Sequence, residues 1–370
     1  MPIDVIPTKI TLPKRPGGVL RRPRLIDYLH ENLERKLILV AAPAGYGKTT
    51  LLIYFTAEIS SQKGLPASQI LYLTQSEKLL NTSERLITNI RHRIAEEYGE
   101  GLSSEKPTFL TYHQFALNQL PEPLKGRFLN RSRRGHWLDF STFADMLRGG
   151  TRSSPDGCRS PFARSRDCNP EAVWFVLRSY IKGYKISERD DNRWMSGDEY
   201  RENEDVPSRD QQVSVELYDQ VWKEIWPWYK RLTVPCGDNN YQPKYWDDLD
   251  LAWEVLLNRR DDAPHYAVLI CDEVQDLTRV ELASFLRSLS WNQYDLTNLA
   301  REHNFRLPVI LAGDAHQTIN PSVFRWARVS SDLADAMVGH MPNLAKPSVK
   351  AVELQFNYRN ARGIGQLCNA

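Results

Sequence analysis

The segment that most restricts how this chain can fold is Leu37-Ile-Leu-Val-Ala-Ala42-Pro-Ala44-Gly45-Tyr46-Gly47-Lys48-Thr49-Thr50. An apolar run reads as a buried strand, the glycine-containing stretch as a tight loop, and Thr49 to Ala57 as the start of a helix. Strand, loop and helix in that order make a phosphate-binding P-loop. Gly45 and Gly47 let the backbone turn so that successive N–H groups, from Ala44 to Thr50, converge on phosphate oxygens at a helix N-terminus. Lys48 would reach the terminal phosphates of a nucleotide, and the Thr49 hydroxyl would ligate magnesium. Such a loop belongs to an α/β fold with a parallel sheet, and it implies a nucleotide with Mg2+.

A second stretch, Tyr266-Ala-Val-Leu-Ile-Cys271-Asp272-Glu273-Val-Gln-Asp276, is apolar up to Cys271 and acidic beyond it. It reads as a central strand, with Asp272 and Glu273 emerging at the carboxyl edge where open parallel sheets bind ligands. An Asp-Glu pair by itself fits a solvated acidic turn equally well. The P-loop upstream gives it a metal-binding and water-activating reading.

Composition bounds what such a site can belong to. The chain has 370 residues, enough for a substantial core in one split domain or two. Its net charge is only +2, so a nucleic-acid surface would have to be a local patch. The five cysteines form no CxxC pair and no cluster at metal spacing, which suits a reduced, cytoplasmic setting. No apolar run approaches the roughly 20 residues of a membrane helix.

Between and beyond the two motifs the chain alternates strands with helices. A proline- and arginine-rich lead-in runs into a helix from Arg24 to Leu33. Gln69 to Ser76 reads as a strand with polar residues at its end, and Glu77 to Tyr98 as an amphipathic helix with Leu80, Leu86, Ile87, Ile90 and Ile94 on one face. Thr108 to Ala116 repeats the theme of a strand ending in hydroxyl and aromatic groups. Polar strand ends at Thr74, Ser76, Tyr112 and His113 offer a track for a second ligand, although Tyr112, His113 and Phe115 fit packing at a strand–helix corner as well. Residues 121–260 are basic and Trp-rich, with helices from Glu171 to Tyr184 and Val213 to Leu232. That mixture suits single-stranded nucleic acid, and equally a small helical core with solvated charges. Afterwards come a helix from Glu281 to Leu289, a strand ending at Gly313-Asp314, and a last strand from Ala351 to Phe356. The organisation expected is a RecA-like lobe in two parts, 1–120 and 261–370, around a helical insertion at 121–260.

In this order the motifs resemble those of the UvrD/Rep-type DNA helicases of superfamily 1. Asp272-Glu-Val-Gln-Asp276 is similar to their acidic motif, Gly313-Asp-Ala-His-Gln317-Thr-Ile to motif III, and Leu354-Gln-Phe-Asn-Tyr358-Arg359 to motif IV. The stretches 74–76 and 111–115 resemble motifs Ia and Ib, which in that family touch single-stranded DNA. By position, the resemblance implies that Lys48 and Thr49 bind phosphate and magnesium, Asp272 ligates the metal and Glu273 activates water. It further implies that Gln317 couples nucleotide to DNA, Tyr358 stacks on adenine, Arg359 acts as an arginine finger and Phe324 stacks on a DNA base. The insertion corresponds in position to the family's 1B subdomain. Motifs are present only as far as Arg359, so a second motor lobe is expected from elsewhere, and this chain alone is expected to bind single-stranded or partly unwound DNA without unwinding it. The first 60 or so residues, from Thr11-Leu-Pro-Lys-Arg-Pro through the P-loop, also resemble the large ATP-binding regulators of the maltose-activator (LuxR-linked) type. Those are signalling ATPases, in which the acidic strand follows the P-loop closely. A signalling ATPase and a catalytically idle nucleic-acid-binding module are therefore the competing readings.

Overall fold

The computed structural model describes residues 29, 37–43, 45–61, 66–98, 105–129, 136–149, 169–186, 193–203, 213–235, 243–289, 309–314, 322, 325–326, 328–329, 331–332 and 349–353. Ala44, Gln317, Phe324, Tyr358 and Arg359, together with most of the lead-in helix expected before Leu37, lie outside these residues.

Among the described residues six strands form one sheet in the order β3-β2-β4-β5-β1-β6. They are β1 (Leu37–Ala41), β2 (Ile70–Thr74), β3 (Thr108–Thr111), β4 (Val268–Cys271), β5 (Val309–Gly313) and β6 (Val349–Glu353), and every pairing is parallel. The near-continuous apolar character of β1, β2, β4 and β5 follows from burial on both faces. Alternate residues divide between two cores. Ile38, Val40, Tyr72, Ile270 and Ile310 point to one, packed under α1 (Lys48–Ile59) and α2 (Glu77–Tyr98). Leu39, Leu71, Leu73, Leu269 and Leu311 point to the other, packed against α3 (Tyr112–Gln119), with Phe128 of α4 (Glu122–Phe128) in the same cluster.

The polypeptide between α4 and β4 has helices as its regular elements among the described residues. It comprises α5 (Phe140–Leu147), α6 (Pro170–Phe175), α7 (Gly197–Glu202), α8 (Val215–Gln220), α9 (Trp226–Thr233) and α10 (Asp248–Asn258). A third core, rich in Tyr and Trp, gathers Phe143, Leu177, Tyr180, Tyr218, Trp228 and Tyr229. Helix α6 continues into a wider π-helical stretch, Val176–Lys182, and α8 joins α9 through another, Val221–Ile225. The second lies just before Pro227, whose missing N–H a regular helix could not accommodate there. Helix α10 belongs with the sheet: Leu251, Trp253, Val255 and Leu256 pack in the core beneath β4. After β4 a short 3-10 turn, Val274–Asp276, leads into α11 (Arg279–Leu286). Among the described residues no helix is long and apolar enough to cross a membrane.

Candidate functional site: the carboxyl edge of the sheet

Parallel register brings the functional strand ends together. Ala41 pairs with Gly313, and the Ala42 amide donates to the Gly313 carbonyl at 3.3 Å. Cys271 pairs with both Leu73 and Leu311, and the Asp272 amide donates to the Leu73 carbonyl at 2.9 Å. Along this edge stand Thr111, Thr74, Asp272, Gly313 and Ala42, in the order of the strands that carry them.

On the β1 side the chain turns through Gly45 (φ 84°) and Gly47 (φ 81°), left-handed conformations that a side chain would strain. Gly47 precedes α1, and Tyr46 between them is buried in the core beneath α1. Lys48 is buried with its ammonium inside the loop, donating to the carbonyls of Ala42 at 2.7 Å and Pro43 at 3.3 Å. Thr49 and Thr50 are half-buried in the first turn. The described part of the loop thus has the turn, the cation and the helix start that a phosphate requires.

On the β4 side Asp272 is fully buried. One carboxylate oxygen, Oδ1, accepts from the Glu273 amide at 3.0 Å, whereas Oδ2 is buried with no hydrogen-bond partner. Burial first, then repulsion from Glu273, pushes its pKa up to about 7, against the pull of the Thr49 hydroxyl and the Lys48 ammonium. Those opposing influences put Thr49, Lys48 and Asp272 in one electrostatic neighbourhood. Glu273 holds a left-handed backbone (φ 57°), found at no other described non-glycine residue. For a residue with a long side chain this is strained, and it turns the half-buried carboxylate off the line of the strand.

No sequence motif signals what fixes Glu273. Gln275 is buried, and its amide nitrogen donates to Glu273 Oε2 at 2.7 Å while its Oε1 accepts from the Asp314 amide at 3.0 Å. Its carbonyl accepts from the Ser322 hydroxyl at 2.5 Å. Gly313 makes room for this strut, since a Cβ there would lie 2.5 Å from Gln275 Oε1. The available clue was position alone: a polar residue two places beyond Glu273, in a turn too short to leave it in solvent.

The residues expected to form a nucleic-acid track beyond β2 and β3 lie at different depths. Tyr112 is 2% exposed, with its hydroxyl 2.6 Å from Ser284 Oγ. It is a core residue, because Thr111 caps α3 through a reciprocal pair with Gln114 and turns the next side chain inward. Thr74 is likewise buried. Ser76 and His113 remain half-buried. Ser76 accepts from the Leu79 amide at the start of α2, and the His113 ring lies against Trp246 with centroids 5.7 Å apart.

Among the described residues no group of three or more His, Cys, Asp or Glu could hold a metal by protein ligands alone. A hydroxyl and a buried carboxylate with an unmet oxygen instead suit a hard cation that takes its remaining ligands from phosphate and water.

Comparison with known proteins separates two likenesses of different extent. Short stretches are similar to HTH-type transcriptional regulators MalT: 43% identity over 53 residues with the Vibrio cholerae protein, covering 14% of this chain and 6% of that one, and 48% over 46 residues with the Vibrio campbellii protein, covering 12% and 5%. The matched stretch is thus a small fraction of those relatives' length. The UvrD/REP helicase N-terminal domain, by contrast, matches residues 29–332. Spanning the P-loop, the acidic turn and all the helices between them, that match makes the chain a member of the UvrD/REP helicase N-terminal domain family.

Proposed function

We propose that this chain is the ATP-binding and ATP-hydrolysing motor lobe of a UvrD-like DNA helicase, coupling hydrolysis to single-stranded DNA. The observation that carries the reading is Asp272: a buried carboxylate with one oxygen unpartnered, beside the Thr49 hydroxyl and the Lys48 ammonium. In this reading residues 44–50 cradle the triphosphate and Lys48 offsets its charge. Thr49 and Asp272 hold magnesium, which when bound draws charge from the phosphates. Glu273, braced by Gln275, takes a proton from the attacking water. Gln317 and Arg359 complete the catalytic set, Tyr358 faces adenine, and Phe324, Ser76 and His113 contact DNA. Residues 1–120 and 261–370, with α4 and α10 packed onto them, form the lobe, the rest of 121–260 forms the insertion, and a second lobe comes from a longer protein or another chain. The setting is cytoplasmic.

The likeness to MalT covers too little of the chain to carry a function, and in signalling ATPases the acidic strand is expected soon after the phosphate loop. Here β4 arrives only after the whole helical region.

The test is steady-state ATP hydrolysis with and without single-stranded DNA. Glu273→Gln should lower turnover by about 10²–10⁴-fold while leaving ATP affinity within a few fold. Turnover unchanged by that substitution would remove Glu273 as the base. DNA-stimulated turnover separates a motor lobe from a signalling ATPase.

A further inference from the structure

Three parts of the chain meet at one joint beside the acidic turn. The π-helical stretch 176–182 ends at Gly183, whose carbonyl accepts from the Val280 amide at 3.1 Å in the first turn of α11. The approach is too close for a side chain, since a Cβ on Gly183 would fall 2.2 Å from the Arg178 carbonyl and 3.0 Å from the Thr278 methyl. Arg178 donates to both oxygens of Glu281 at 3.1 Å, and Glu281 in turn accepts from the amide and hydroxyl of Thr278 at 2.8 Å. The end of the π-helical stretch is thereby bolted to the N-terminus of α11, and Thr278 stands only five residues beyond Glu273.

The third part arrives through Arg279. Its guanidinium makes a two-pronged pair with Asp332, 2.7 Å on each arm, and a third bond of 3.1 Å to the Tyr184 carbonyl. Arg279 and Arg328 both lie over the Tyr184 ring, with centroid distances of 5.5 and 5.6 Å. Asp332 and Trp326 are both described helical residues following β5, and Trp326 packs against the core. A planar fork serving one carboxylate and one carbonyl at once fixes three segments in a way that a single ammonium cannot.

We infer that Arg279 is a positioning residue that transmits the placement of the helical region and of the segment after β5 to the acidic turn holding Glu273. The inference rests on the motor-lobe reading in assigning the turn its chemistry. The contact between the three segments stands without it. Trp326 belongs to this same segment, so DNA seated against it would be felt at Asp332, and Arg279 would pass that displacement to α11 and the turn before it.

The experiment uses the whole chain, its Arg279→Lys variant and, in case that variant folds poorly, Asp332→Asn, each checked for a cooperative thermal transition. Amide hydrogen exchange at Val274–Leu277 is followed with and without a single-stranded oligothymidylate, alongside ATP hydrolysis. The expected result is slowed exchange at those amides when DNA is added to the parent chain, and at least a fivefold smaller slowing in the variants. DNA stimulation of kcat should fall by a similar factor, with KM for ATP unchanged. Equal slowing in parent and variants, or no slowing in the parent, overturns the inference. Lys48→Ala is measured beside them: unaltered ATP affinity there would defeat the motor-lobe reading, while the exchange data would still decide the joint.

Discussion

Asp250 in α10 and Asp272 after β4 are both fully buried carboxylates, and both are pushed up to about 7, by burial first and a neighbouring carboxylate second. Their surroundings differ. Asp250 accepts from the Lys182 ammonium at 2.6 Å through one oxygen and from the Asp247 amide at 2.8 Å through the other. Lys182 also donates to Asp247 at 2.6 Å, and the Tyr229 hydroxyl completes the group at the same distance. Asp272 leaves an oxygen unmet. A displaced pKa therefore reports burial in both places, and unspent bonding capacity separates a site from a scaffold.

The largest effect should come from breaking the scaffold. Lys182→Met would leave Asp247 and Asp250 buried together without their cation, and should lower the unfolding free energy by about 3–5 kcal/mol in a urea titration. A loss below about 1 kcal/mol would mean that the network holds little together, and the contrast with Asp272 would fail. At the strand edge the sign reverses. Asp272→Asn removes a desolvated charge that repels Glu273, and should raise stability by about 1–2 kcal/mol in magnesium-free buffer, while ATP hydrolysis disappears.

The pH dependence sharpens the comparison from the scaffold side. In the unfolded chain Asp250 ionises near its ordinary 3.8, whereas the folded chain keeps the proton to about 7. The folded state therefore binds more protons between these values, and this contribution to stability is complete below about pH 4 and lost as pH rises through 7. Asp247 behaves oppositely: although burial raises it, Lys182 and Tyr229 bring it down to about 2, so its contribution disappears only as pH falls through that value. Asp250→Asn should flatten the decline in denaturation midpoint between pH 4 and 7, and an unchanged slope would detach that decline from Asp250. The smallest effect is expected at Tyr112→Phe. Losing the Ser284 contact should lower stability by about 0.5–1.5 kcal/mol and leave affinity for single-stranded DNA as it was, whereas weakened DNA binding would return Tyr112 to the interface.

Legibility in the sequence followed the same division. Central parallel strands are continuous apolar runs, so β2, β4 and β5 fall within the stretches expected, and α2 has the bounds its periodicity predicts. The residues at the sheet's edge were readable because loop and acidic turn are local patterns. Lys182 with Asp247 was not, since the partners stand far apart in sequence and neither lies in a recognisable motif. The placement of Tyr112 was not legible for a different reason. Thr-Tyr-His-Gln suits a polar strand end as well as a capped helix start, and only the bond between Thr111 and Gln114 decides which way the tyrosine turns.

The position of β1 has a consequence for how the protein is made. It lies between β5 and β6, and its first described partner, Ile310 opposite Ile38, is synthesised roughly 270 residues after it. At typical rates of chain elongation that is an interval on the order of tens of seconds, during which the strand carrying the phosphate loop has no neighbour to pair with. Strands β2, β3 and β4 can associate first, with β1 and α1 held against them only by side chains of the core beneath α1. The sheet edge that carries the loop and the acidic turn is therefore among the last features to close, and a ribosome stalled before Val309 would carry a largely helical nascent chain with that edge incomplete. Long-range closure of this kind makes refolding slow, and the apolar edge of β1 is the surface a chaperone would meet.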